Sequence, residues 1–539
     1  MSYKKYKELL NKKEAQKYIK SGINKATDLI SPTLGVKGNR VFIDREFGDI
    51  EGSDDGITIL KEIELEDTRE QLGVKILKEA SAKTNDKEGD GTTSTAVIAN
   101  ELVNQIIEDD EDVIIIDGGR DIVKIKNGFK SGFDKVIKFI NEHKIDITSD
   151  NQIANIAKIS SNSEEVGNML MEIFKKLGKD AVVNVESSDS TETTHEITEG
   201  MSFERGYISE AFMTNPDKEE AVLENPKVLV TDYRIQDIDD IQVIIDLLKH
   251  KVNDLLIIAD DVNGIPLRTL IINKLRGNIR TVAVKSPGFG NQTDYLKDIA
   301  TLTGATLISN SNQLAIKDIK PEHLGKAIKV VVNKTSTVII GGEGKKEDID
   351  ARILALKNRI EDETSEYEKS KLKERVGKML NGVCTIKVGG VTGMEAKDRN
   401  AKVEDAVNAV KSALKDGIVA GGGIALMRAS VVLDDKDLGE TILRKAISKP
   451  FEQILINANV DLGAITTRVI LGDNVNQGYD VANDKVGDMV EMGIIDPAGV
   501  VKTALENALS IAKMVLTGCG ALTLIREKKE EDINKLGLD

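Results

Sequence analysis

The chain changes its texture twice, and that double change limits the folds open to it. After Glu199-Gly200, strand-like runs at 227–231, 254–259 and 281–285 alternate with helix-like runs at 239–249 and 266–275. This is the βαβ grammar of a compact α/β module with a parallel sheet. A hairpin is expected from 329–333 and 337–340, followed by two charged amphipathic helices meeting near Thr364. From Gly382 onward the composition returns to the helix-rich style of the first two hundred residues. An α/β module inserted into a helical body is therefore expected, with Gly200 and Gly382 at the two crossings.

Composition agrees with that layout. Apolar residues make up 40% of the 539 positions, yet aromatics are 3% and tryptophan is absent. Cores must then be aliphatic, which suits helices and parallel strands better than an aromatic-rich sandwich. Lysine and arginine total 74 against 90 acids, a net charge of −16. Nucleic acid is an unsuitable partner for such a surface. Two cysteines, Cys384 and Cys519, are too few for a disulfide framework. No apolar run approaches the ~18 residues that cross a bilayer, and no presequence is evident in the first twenty residues, so a cytoplasmic location is expected.

The stretch carrying most chemistry is Gly89-Asp90-Gly91-Thr92-Thr93-Ser94-Thr95, which runs directly into the helix former Ala96-Val97-Ile98-Ala99. The glycines permit a tight turn and close approach of backbone to ligand. A helix starting there aims unpaired N–H groups and its positive dipole end at the turn, which suits phosphate. Asp90 beside a phosphate calls for a divalent cation between them. Locally the same residues serve equally well as a plain helix cap. The chain has no GxxxxGK[ST] loop, and its four histidines are scattered without HExxH, CxxC or nucleophile signatures. An ordinary metabolic enzyme finds no support in that pattern.

Four pieces in order, Thr33-Leu34-Gly35, Gly89–Ser94, Val403-Glu404-Asp405 and Ala420–Gly423, resemble the ATP site of GroEL-type (group I) chaperonins. Glu199-Gly200-Met201, Arg205-Gly206-Tyr207, Ser286–Gly290 and Ile495-Asp496-Pro497 extend the likeness over roughly residues 14–525. The resemblance implies a multidomain α/β fold: a mostly helical equatorial ATPase domain (1–142 and 416–525), a small α+β intermediate domain (143–198 and 384–415) and an inserted α/β apical domain (199–383), with a charged tail at 526–539. It implies ATP and Mg2+ as cofactors, with K+ as an option. Thr33, Leu34 and Gly35 match the turn over the phosphates, and Asp90 matches the metal ligand. Gly91, Thr92, Thr93 and Ser94 match the phosphate cradle. Gly421, Gly422, Asp480, Val481, Ala482 and Asp496 match nucleoside contacts. Asp405 and Asp55 match the two acids near the attacking water. Tyr207, Phe212, Ile245, Leu267, Ile271 and Ile272 match the apolar grip for substrate; the last three also form a helical stripe of the kind that usually faces a core. The implied partners are non-native proteins, a small 10 kDa-type co-chaperonin, and copies of the chain in seven-membered rings, two of them stacked; neither nucleic acid nor a membrane is implied.

Departures from the family pattern set further expectations. Asp54 stands where a lysine is usual, so weaker ATP binding or slower turnover is expected, relieved by Asp54→Lys. Asp480-Val481 replaces an Asn-Ala pair, Val36 a proline, and Ala211 and Gln242 larger apolar residues. Glu452 and Asp461 place two acids where opposite charges usually meet between rings, which leaves a single or loosely held double ring open. The leading reading is an ATP-driven folding machine; the alternative is a holdase or assembly scaffold with weak or lost hydrolysis.

Overall fold

The computed structural model describes residues 7–44, 50–107, 122–179, 181–188, 190–216, 218–237, 239–240, 242–244, 254–288, 292–380 and 382–524. Two compact units emerge: a first from 1–172, 187–192 and 388–539, and a second from 173–186 and 193–387. The charged tail at 526–539 and Ile245 lie outside the described residues.

The first unit is helical. Its core is built by Lys12–Ile30, Glu70–Glu88, Thr92–Ile106, Ile122–His143, Leu438–Asn457 and Ala498–Thr517, whose inward faces are almost wholly Ile, Leu, Val and Ala around Phe129. The opening helix starts where Asn11 and Glu14 form a reciprocal capping box. The last helix among the described residues ends at Thr517. Lys7–Asn11 then pairs antiparallel with Gly520–Leu524. Each strand is only five residues long and gains its ladder from the opposite end of the chain, so nothing local announces it.

The second unit holds a seven-stranded sheet. Arg280–Lys285, Asp254–Ala259 and Lys227–Val230 are parallel, as the βαβ grammar requires. Gly325–Val332, Thr337–Gly342 and Gly200–Phe203 continue the sheet antiparallel, with Ala221–Glu224 also on Gly325–Val332. The sheet is thus mixed rather than parallel, because the expected hairpin joins it as two central strands. Helices Lys346–Asp362 and Glu366–Leu380 meet around Thr364 as expected. A three-stranded sheet of Val182–Ser187, Val383–Val388 and Thr194–Thr198 is an addition to the sequence reading.

The boundaries between units fall at 172–173, 186–187, 192–193 and 387–388, so Gly200 and Gly382, where the resemblance would put hinges, lie inside the second unit. Gly200 is a strand residue opposite Ile340, where a Cβ would stand 2.4 Å from the Ile339 carbonyl oxygen. Close strand approach is its requirement. Gly382 has φ +66°, and a Cβ there would meet Thr198 O at 2.4 Å.

The cysteines differ sharply in environment. Cys384 is fully buried, and burial pushes its thiol up to about 11, whereas Cys519 is exposed. Only a thiolate attacks a disulfide reagent. Native protein is therefore expected to release chromophore from one thiol per chain with a dithiobis-benzoate reagent, and from both in denaturant. Rapid reaction of both thiols in the native protein would contradict this burial.

Candidate functional site

Four segments of the first unit assemble one acidic cleft. The first is the helix Thr92–Ile106, which begins after Gly91 at φ +82° with no side-chain cap. Any Cβ at Gly91 would strike Val500 Cγ1 at 2.6 Å, so the turn is pressed against the helix that follows Asp496. Thr92 and Thr93 are buried and Ser94 is partly exposed. Asp90 accepts from its neighbour Gly91 N at 2.5 Å and, at 3.5 Å, from Ser160 Oγ on the helix Asp150–Ser161.

Asp55 enters from the second segment. It N-caps Gly56–Glu62: Oδ2 accepts from Thr58 N at 3.0 Å and Thr58 Oγ1 at 2.6 Å, while Oδ1 has only a long 3.4 Å bond from Ile57 N. The cap leaves Oδ1 the freer oxygen. Gly56 must be glycine, since a Cβ would lie 2.3 Å from Thr93 Oγ1 and 3.0 Å from Thr92 Oγ1. That approach lays Asp55 against the start of the Thr92 helix.

The helix Gly393–Asp416 is the third segment and bears Asp405. One turn beyond, Asn408 fills the space a Gly89 side chain would need, at 2.2 Å. Ser412 Oγ and Thr503 Oγ1 both donate to Glu88, at 2.6 and 2.8 Å. These bonds tie helices Glu70–Glu88, Gly393–Asp416 and Ala498–Thr517 together around the turn.

In the fourth segment, Ile418–Ala420 pairs with Ile495–Pro497, Val419 opposite Asp496. This pairing carries the Gly421–Gly423 turn to the Asp496 carboxylate, which receives the N–H groups of Gly422 and Gly423. The turn Ser31–Thr33 is pinned by Asn457 Nδ2, which donates to Ser31 O and Leu34 O at 2.9 and 2.8 Å. Thr33 is buried, its hydroxyl donating to Ile30 O, whereas Gly35 is exposed.

The electrostatics are one-sided. Burial, then Asp55, Asp90, Glu404 and Asp54, hold the Asp405 carboxyl well above its usual range. Burial and Asp90 push Asp496 up to about 7, against the pull of the two glycine N–H groups. Asp90 is raised by burial and by Asp55, against its bonds from Gly91 and Ser160. Mutually repelling carboxyls beside uncapped helix N–H groups can take phosphate and a divalent cation together. Among the described residues no three acids, histidines or cysteines close on one metal point. A cation held by Asp90 would take its remaining oxygens from phosphate and water, as Mg2+ commonly does. The residues fit a magnesium nucleotide.

Three of the expected nucleoside contacts sit on a separate hairpin. Asp480 is buried and closes its own turn, Oδ1 accepting from Ala482 N at 2.9 Å and Asn483 N at 3.2 Å, and Oδ2 from Asn483 Nδ2 at 2.7 Å. Its carboxylate is thus committed to the hairpin Gln477–Asp480/Lys485–Asp488. Val481 is buried in the core and Ala482 exposed.

The expected grip in the second unit also needs correction. Phe212 is wholly buried and Tyr207 nearly so, both inside the sheet's core cluster. Leu267 and Ile271 pack partly against that core, and only Ile272 of the described set is exposed. The stripe that local spacing assigns to a core does mostly face one. Ile265 and Leu275, at 55% and 70% exposure, are further exposed apolar residues on the helix Gly264–Leu275 that the family pattern does not single out.

The fold is a chaperonin fold. It is similar to the crystal structure of chaperonin gp146 from bacteriophage EL 2 (Pseudomonas aeruginosa), determined in the presence of ATP-BeFx. That likeness covers 96% of this chain and 99% of that one, with TM-score 0.68 and 21% identity. The model of the TCP-1/cpn60 chaperonin family matches residues 26–518, and the chain belongs to that family. Among the described residues no helix is long and apolar enough to cross a membrane.

Proposed function

We propose that this chaperonin hydrolyses ATP and uses the cycle to bind non-native polypeptides and fold them in a ring cavity closed by a small co-chaperonin. The observation carrying the reading is the meeting of Asp55, Asp90, Asp405 and Asp496 around the uncapped start of Thr92–Ile106. The N–H groups of 92–94 bind phosphate oxygens across the Gly91 turn, and Asp496 takes the ribose hydroxyls. Asp90 holds Mg2+, which when bound spreads the charge of the transferring phosphoryl group. Asp405 orients the attacking water and accepts its proton; its raised proton affinity brings a carboxylate nearer the working pH of a general base. Asp55 braces that water from the other side. Exposed Ile265, Ile272 and Leu275 offer apolar surface for unfolded chains. The division into equatorial, intermediate and apical domains, seven-membered stacked rings and a cytoplasmic site of action belong to the same reading.

A weakly hydrolysing holdase is the second reading, favoured by the commitment of Asp480 to its own turn. Steady-state hydrolysis against ATP concentration decides between them. A sigmoidal curve is expected. No turnover, combined with protection from aggregation that ignores ATP, would establish the holdase. Particle mass without nucleotide settles the ring number, since Glu452 is already paired with Lys449 at 2.8 Å and Asp461 caps the helix Leu462–Ile470.

A further inference from the structure

Asp54 is not an uncompensated acid. Lys402 Nζ lies 3.0 Å from its Oδ2 and 3.4 Å from Asp398 Oδ2, and Arg40 Nη2 stands 2.8 Å from that same Asp398 oxygen. The side chains of Lys402 and Asp54 are 20% and 32% exposed. A pair this accessible contributes only about 0–1 kcal/mol to folding, so stability does not account for the arrangement. Its position does. Asp54 directly precedes Asp55, and Lys402 lies three residues before Asp405 on the same helix, hence on the same face. The pair joins the two segments that carry the acids beside the reacting water. Those segments otherwise repel, because Asp54, Asp55, Asp90 and Glu404 all oppose an ionised Asp405. Lys402 turns one of these oppositions into an attraction.

We propose that Lys402 and Asp54 form a charge latch that seats the Asp405 helix over the Asp55–Asp90 turn, with Asp398 and Arg40 holding the lysine in register. Lys402 is a positioning residue: the positive charge expected beside Asp55 comes from the opposite wall of the cleft. The role in turnover rests on the ATP-hydrolysis reading above, but the seating itself can be tested without it.

The test uses the full-length assembled protein carrying Asp54→Lys, Lys402→Asp, the double exchange, Lys402→Met and Lys402→Arg. Each single charge reversal is expected to lower kcat about tenfold, ~1.4 kcal/mol in barrier, with KM for ATP changed far less. The double exchange should recover most of the loss, Lys402→Arg should retain activity, and Lys402→Met should fall between. In the absence of nucleotide, amide exchange across 393–405 should quicken in the reversals and slow again in the double exchange. A gain in kcat or ATP affinity from Asp54→Lys alone would overturn the latch, as would a double exchange no better than its parents in either readout. If the unaltered protein lacks turnover, the hydrolysis reading falls, and amide exchange alone decides the latch: restoration upholds it and no restoration overturns it.

Discussion

Asp405→Ala is expected to abolish most ATP hydrolysis while leaving ATP bound. Removing a positioned general base costs about 10²–10⁴-fold in rate, and the N–H groups of 92–94 proposed to bind phosphate do not depend on that side chain. The same substitution should not weaken the nucleotide-free protein. Asp405 is crowded by Asp55, Asp90, Glu404 and Asp54, all of which raise its proton affinity, and deleting it relieves the crowding. Three measurements therefore have to move separately: kcat falls steeply, the dissociation constant for ATP shifts by a few-fold at most, and the melting temperature without nucleotide holds or rises. A kcat within about threefold of the unaltered protein would remove Asp405 from the base role. A large loss of ATP affinity would instead make it a binding residue.

What the sequence discloses follows from how local each feature is. The start of Thr92–Ile106 is legible because two glycines, an acid and consecutive hydroxyls meet a helix former within a few residues. The three parallel strands are legible as β-branched runs between breakers, and Asp254–Ala259 has the expected bounds. Strand partnership is not local. The pairing of Lys7–Asn11 with Gly520–Leu524, and the antiparallel half of the large sheet, depend on ladders between distant segments. Burial of a lone aromatic is equally hidden: Phe212 sits in the short turn Glu210–Phe212, whose neighbours in sequence say nothing of the sheet that covers it. Around the site, Asp54 reads as an isolated reversal of charge, because its partner Lys402 belongs to a segment far along the chain. Ser160, reaching Asp90 from a third helix, carries no motif at all.

Asp298→Ala is expected to be the most damaging substitution in the second unit. Asp298 is fully buried and accepts two bonds from Arg375, Nε at 2.7 Å and Nη2 at 3.0 Å, and one from Arg352 Nε at 2.8 Å. Arg375 is itself buried, stacked over Tyr295 with its guanidinium carbon 5.1 Å from the ring centre. These contacts join the helix Gln292–Thr303 to Lys346–Asp362 and Glu366–Leu380. Without Asp298, the cations Arg352, Arg359 and Arg375 would face Asp294 as the remaining acid of this ion-pair group. Breaking a buried pair from one side costs about 3–5 kcal/mol, because the surviving charge stays desolvated. Urea unfolding followed by amide exchange should show early loss of protection in 292–303, 346–362 and 366–380, while the first unit's 70–106 keeps its own. Asp298→Asn retains an acceptor oxygen and should recover part of the loss. A penalty under ~1 kcal/mol would mean that Asp294 takes over both arginines, making the bidentate pair dispensable.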